Sequence, residues 1–217
     1  MIERTLATTT HGRYLVEPAA QDGAAPVLVG FHGYGETAET QLERMQSIPG
    51  AERWLLVSIQ GLHRFYQRRT NEVIASWMTR QDRELAIADN LAFVAAVLND
   101  IRRDVATRPG MVFAGFSQGV AMMFRAAVHA SDAVAGVIAA GGDVPPEIGP
   151  TALARVTRAL VCRGTQDAWY TPEKFAADVQ RLNVAGVVTQ PLEFDGGHDW
   201  SNDVIAAAAA FLRERHP

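Results

Sequence analysis

Residues 111–119 read Met-Val-Phe-Ala-Gly-Phe-Ser-Gln-Gly. An apolar run of buried-strand character, residues 111–114, passes directly into Gly115-Phe116-Ser117-Gln118-Gly119, and residues 119–130 beyond it have helical composition. Strand, Gly-x-Ser-x-Gly, helix is the context in which this pentapeptide forms a nucleophile elbow, a sharp turn that lifts a serine hydroxyl above a sheet. With 18 glycines and six serines in 217 residues, about 0.04 chance occurrences of the pattern are expected, before any flanking element is required. Crowding explains the glycines, because a strained turn leaves no room for side chains two positions either side of the serine.

Working outward, the same alternation continues in both directions. Short apolar runs at residues 27–31, 54–59, 134–140, 159–163 and 187–194 read as strands, and residues 13–17 as a shorter one after which 21–26 forms a turn. Between them lie helical stretches at residues 39–48, 82–105, 172–182 and 202–215. The first of these closes at Pro49-Gly50 and the second at Pro109-Gly110, both stop signals. In the second, Leu85, Ala88, Leu91, Ala92, Ala95 and Leu98 share one face at helical spacing. This pattern predicts an α/β chain with a mostly parallel sheet covered by helices on both faces. Length favours one domain over residues 1–217. Residues 60–81 show no periodicity and read as a long loop, of the kind that is more often functional than idle.

Composition excludes several classes. The chain is 48% hydrophobic and 20% charged, with a mean hydropathy of −0.02, which sets disorder aside. A net charge of −4 and scattered arginines give no field for a nucleic-acid backbone. No stretch reaches the roughly 18 apolar residues of a membrane helix, and residues 1–10 lack a signal-peptide core, so the expectation is a cytoplasmic protein. A single cysteine, Cys162, leaves no disulfide framework or thiolate cluster. The absence of a helical His-x-x-x-His pair predicts no metal and no cofactor.

A serine hydroxyl is a weak nucleophile and needs a base, with a third group to orient it. Of six histidines, His198 stands out, in the turn Asp195-Gly196-Gly197-His198 at the carboxyl end of the last strand. His216, His11 and His129 have bland positions at a terminus or a helix end, His63 reads as exposed in the long loop, and His32 as structural. The acid should fall between serine and histidine in chain order. Asp167 fits best, in Gly164-Thr165-Gln166-Asp167 after residues 159–163; Asp143 and Asp195 are the rivals. Two backbone donors for a developing oxyanion are expected at Tyr34, in Phe31-His32-Gly33-Tyr34-Gly35, and at Gln118, the residue after the serine.

These patches resemble the phospholipase/carboxylesterase branch of the α/β-hydrolase fold, the group that includes bacterial carboxylesterases and acyl-protein thioesterases. Residues 31–36 (FHGYGE) are similar to its oxyanion segment, 115–119 (GFSQG) to its elbow, 164–167 to its acid loop, Gly197-His198 to its histidine loop, and Ser76-Trp77 to a tryptophan-bearing pocket segment. The resemblance runs nearly the full length. It implies an α/β-hydrolase fold without a large lid, hydrolysing small-molecule esters or thioesters, or lysophospholipids, without a metal. The sequence departs from the family pattern at Glu36, where Asp is usual, at Val120, where another glycine commonly follows, at Met78-Thr79, and at Pro172, which comes late after Asp167. Trp77, Trp169, Tyr170 and the 60–81 loop are the expected pocket residues. Two other readings stay open at this level: a dienelactone-hydrolase-like or peptidase-like enzyme of the same fold, and a ligand-binding protein on a hydrolase scaffold.

Overall fold

The computed structural model describes residues 1–132 and 134–214. In chain order its strands are β1 (Arg13–Glu17), β2 (Val27–Phe31), β3 (Leu55–Gln60), β4 (His63–Tyr66), β5 (Val73–Ser76), β6 (Met111–Phe116), β7 (Val134–Ala140), β8 (Arg158–Gly164) and β9 (Val188–Phe194). The helices are α1 (Ala38–Gln46), α2 (Arg83–Asp104), α3 (Gln118–His129), α4 (Pro150–Leu153), α5 (Pro172–Val184) and α6 (Asn202–Arg213). Seven strands form one sheet in the order β1-β3-β2-β6-β7-β8-β9. Only β1 runs antiparallel to its neighbour; the rest are parallel.

The apolar strands are continuous because both faces of the sheet are covered. Along β2, Val27, Val29 and Phe31 pack with Val94 and Leu98 of α2 and with Phe124 of α3, whereas Leu28 faces Met45 of α1 and Val204 and Phe211 of α6. Leu28, Val29 and Phe31 have no exposed surface, and burial of each such side chain contributes about 1.5–3 kcal/mol. Helices α1 and α6 thus cover one face, and α2, α3 and α5 the other. Caps fix where several helices start: Thr37, Thr171 and Ser201 each accept a backbone N–H three residues on.

The strand order reverses between β2 and β6. From β2 the chain steps outward to β3, and α2 then carries it back across to β6 on the other side of β2. At such a switch point the loops after two adjacent strands part and leave a crevice at their carboxyl ends. Phe31 of β2 lies in register with Gly115 of β6, so the turn after β2 and the turn after β6 face each other there.

Two details differ from the sequence expectation. Residues 60–81 are not irregular throughout: β4 and β5 pair as an antiparallel hairpin, with Asn71 at φ 58° in its turn. The β4 side chains are all exposed, so no buried apolar run marks them as a strand. The helix expected over residues 202–215 is α6; Arg215 and His216 lie outside the described residues. Among the described residues no helix is long and apolar enough to cross a membrane, and no large lid covers the crevice.

Candidate active site

Ser117 follows β6 with φ 53° and ψ −121°, a conformation that non-glycine residues avoid and that surrounding structure must impose. Its N–H donates to Ala140 O at 2.9 Å, which ties the turn to the end of β7. The flanking glycines are required by contact. A Cβ on Gly119 would sit 2.2 Å from Phe31 O, and one on Gly115 would sit 2.9 Å from the Val120 Cα. Helix α3 therefore starts hard against the end of β2, and Ser117 stands at the switch point with its backbone locked. Ser117 Oγ makes no hydrogen bond among the described residues.

Asp167 and His198 come from the two neighbouring strand ends. Their loops are zipped by backbone bonds, Thr165 N–H to Phe194 O and Gln166 N–H to Gly196 O, both 2.8 Å. The result is a 2.7 Å hydrogen bond between His198 Nδ1 and Asp167 Oδ2. Asp167 Oδ1 is occupied too, accepting the N–H groups of Trp169 at 2.8 Å and Tyr170 at 3.0 Å. Burial raises the Asp167 pKa, but the Tyr170 N–H, His198 and the Trp169 N–H outweigh it and hold the carboxyl below its usual range. An ionised Asp167 accepts the Nδ1–H and so orients the ring. The ring also packs against Phe116, centroids 5.0 Å apart, which sets it beside the elbow. Neither rival acid meets the histidine: Asp143 pairs with Lys174 at 3.2 Å, and Asp195 is exposed and accepts from Gln166.

In the turn after β2, most donors are already used. Gly33 N–H donates to Glu36 Oε2 at 2.7 Å and Gly35 N–H to Ala75 O at 2.9 Å. Tyr34 N–H has no partner among the described residues, and Gln118 N–H, in the first turn of α3, is one of the orphan donors every helix start carries. Glu36 in turn takes a bidentate bond from Arg44 at 2.6 and 2.7 Å, and the Arg44 guanidinium lies 4.1 Å from the Phe116 ring centroid. In the sequence Glu36 stands out only as a departure from the family pattern, and Arg44 not at all. Their shared face across eight residues has no periodic signature, because it bridges the turn and the first helix.

His32 is buried and structural. Its Nε2 accepts from Gly61 N–H at 2.9 Å, so Nδ1 carries the proton and donates to Gly33 O at 2.7 Å. Burial lowers its pKa. Trp77, expected in the pocket wall, has no exposed surface: its indole stacks on His32 and donates to His32 O at 2.8 Å. Tyr170 is likewise enclosed, with its hydroxyl 3.2 Å from Asp178 Oδ2. Both are corrections of place, since these rings brace the site from inside the core. Trp169 is 76% exposed and does flank the crevice. The Gln118 side chain also holds the segment behind it, accepting Trp77 N–H and donating to Met78 O, both at 3.0 Å.

A cavity of about 250 Å³ opens at Ser117, smaller than the roughly 300–1,000 Å³ of sites for drug-sized ligands. Its lining includes Gln118, Ala121 and Arg125 of α3, together with Gly142, Pro145 and Trp169. His63 and His11 are exposed and distant in sequence from these loops, and His129 bonds Arg125 O at 2.8 Å. Among the described residues no cluster of three or more His, Cys, Asp or Glu side chains could hold a metal. Burial pushes the Cys162 thiol far up, away from any nucleophilic form.

Comparison with known proteins agrees with this fold. The sequence profile of a family described as Phospholipase/Carboxylesterase matches residues 14–215. None of the curated proteins matches by sequence. Among solved structures, esterase PE8 is similar at a TM-score of 0.73 and 22% identity, covering 94% of this chain and 99% of its own. The Bacillus cereus carboxylesterase is similar at 0.72 and 15%, covering 94% of both chains. Zea mays acyl-protein thioesterase 2 is similar at 0.70 and 16%, covering 94% and 99%. At such identities these likenesses concern the fold.

Proposed function

Because the chain belongs to the phospholipase/carboxylesterase family, we propose that it is a serine esterase working through Ser117, His198 and Asp167. His198 Nε2 takes the proton as Ser117 Oγ attacks the acyl carbon, and the carbonyl π electrons move onto oxygen. The N–H groups of Tyr34 and Gln118 receive that oxyanion. Collapse expels the alcohol or thiol, which leaves with the proton from His198, and the acyl group remains on Ser117. Water then attacks by the same route, returning the carboxylic acid and the free serine. Asp167 keeps the imidazole in the one tautomer that can accept at Nε2, and its charge stabilises the imidazolium that forms.

The observation that carries this reading is the 2.7 Å bond from Asp167 to His198 Nδ1 beside a positive-φ serine. A binding protein has no use for an oriented base next to a strained nucleophile. The test is labelling with a fluorophosphonate probe, followed by peptide mapping, together with turnover of short 4-nitrophenyl esters and matched acyl-thioesters. Labelling should fall on Ser117, and Ser117→Ala should lower kcat by on the order of 10³ or more while the fold is retained. Modification of a different serine, or full hydrolysis by the alanine variant, would overturn the assignment.

A further inference from the structure

The cavity at Ser117 carries positive charge in a chain whose net charge is −4. Its charged lining consists of Arg83, Arg125, Lys174 and Asp143. Asp143 and Lys174 cancel as a pair at 3.2 Å. Arg125 shares Glu147, donating from Nε at 2.7 Å and Nη2 at 2.5 Å, but its remaining nitrogen, Nη1, contacts only Met78 Sδ, at 3.8 Å. A thioether is a weak acceptor for a charged donor. Arg83 makes no hydrogen bond or close ion pair among the described residues, and its charge reaches Glu147 only at longer range, helping to lower that carboxyl's pKa.

Arg125 is on the helix that starts at the elbow, its side chain only 5% exposed, and burial draws its pKa down against the pull of Glu147. It lies eight residues after Ser117 on the face that also holds Ala121. Two turns of helix separate the Cα atoms by about 12 Å, and helical side chains lean back toward the N-terminus, which brings the guanidinium toward the serine. Arg83 is the first residue of α2. There a cation meets the positive end of the helix dipole, where a carboxylate would be favoured.

We propose that this crevice binds esters bearing a carboxylate a short carbon chain away from the scissile bond, with the anion held by the two arginines that line it, Arg83 and Arg125. The inference rests on the esterase reading above and narrows its substrate class. A cavity of this size, lined by Arg83 and Arg125, suits a short dicarboxylate half-ester and disfavours a long acyl chain, because an alkyl tail beside Arg83 would strip water from its charge without giving it a partner. Arg83 supplies the surplus charge that makes the site attractive to an anion.

Two matched pairs test it. In the first the carboxylate is on the acyl side, 4-nitrophenyl hydrogen glutarate against 4-nitrophenyl pentanoate; in the second it is on the leaving group, 4-acetoxybenzoate against 4-methylphenyl acetate. In at least one pair kcat/KM should favour the charged ester about tenfold, and the responding pair identifies the side that carries the anion. The preference should weaken with added salt, and Arg83→Gln, an exposed change that leaves the core alone, should lower the charged-to-neutral ratio at least fivefold. A preference under threefold in both pairs while the neutral esters are hydrolysed overturns the substrate class and leaves the esterase standing, as does a preference that survives Arg83→Gln. Failure to hydrolyse any of the four, with Ser117 unlabelled, brings down the esterase reading and this inference with it.

Discussion

At the scale of single residues, Asp167 is where the proposed mechanism is most exposed to test. Its two oxygens serve different partners, one the His198 ring and the other two backbone N–H groups. Asp167→Asn can still occupy the position but can turn an amide N–H toward Nδ1, which favours the tautomer with the proton on Nε2, the wrong atom for a base. A loss in kcat of about 10⁴, the size that the corresponding change produces in a serine protease triad, is expected, with KM nearly constant. Asp143→Asn, which only unpairs Lys174, should cost less than tenfold. Steady-state kinetics on one 4-nitrophenyl ester decides between them; an inactive Asp143 variant beside an active Asp167 variant would move the acid to the loop after β7. The sequence could point to Asp167 because its place after an apolar strand puts it at the same sheet edge as Ser117 and His198. It could not place Trp77 or Tyr170, since an aromatic residue beside a motif reads the same whether it lines a pocket or braces it from the core. Their hydrogen bonds, to His32 O and to Asp178, join residues 45 and eight positions apart, and no local pattern encodes such pairs.

At the scale of elements, the turn after β2 is held by Glu36, which binds the turn's own Gly33 N–H and the Arg44 guanidinium of α1 at once. The Arg44–Glu36 pair is mostly enclosed, with side chains 16% and 21% exposed. Glu36→Gln keeps an acceptor for Gly33 but leaves Arg44 without its charge partner, a cost on the order of 1–3 kcal/mol. Because the freed guanidinium no longer anchors the turn that presents Tyr34 N–H, kcat should fall about tenfold with KM little changed, a part of the 10²–10³ seen when an oxyanion donor is removed outright. Equal losses in kcat and rise in KM would assign Glu36 to substrate binding instead. The elements themselves were largely legible: β1, β2 and β7 have the expected bounds, and the other expected elements shift by one or two residues, because buried parallel strands leave unbroken apolar runs and proline or glycine ends the helices. The β4–β5 hairpin and the four-residue α4 were not, since β4 is exposed throughout and β5 buries only its last two residues, and α4 is too short for periodicity.

At the scale of the whole molecule, the same site groups tie stability to pH. Asp167 and Glu36 are held below their ordinary values; for Glu36, burial raises the pKa but Arg44 and the Gly33 N–H outweigh it. A carboxyl with a depressed folded-state pKa contributes stability that is present above its unfolded pKa and lost as pH falls through the folded one. Asp178 has the opposite sign. It is a buried residue of α5, and burial raises its pKa despite bonds from Val144 N–H, Tyr170 and Arg181. Its contribution is therefore present in acid and lost as pH rises through the raised value, so it partly offsets the other two. Unfolded carboxylates titrate at about 3.9–4.3, and the urea midpoint should decline as pH drops from about 5 toward 3. Asp167→Asn removes one depressed group and should make that decline shallower, whereas Asp178→Asn removes the compensating group and should make it steeper. Urea titrations of the three proteins at several pH values separate the signs, and parallel profiles for all three would show that neither carboxyl couples folding to protons.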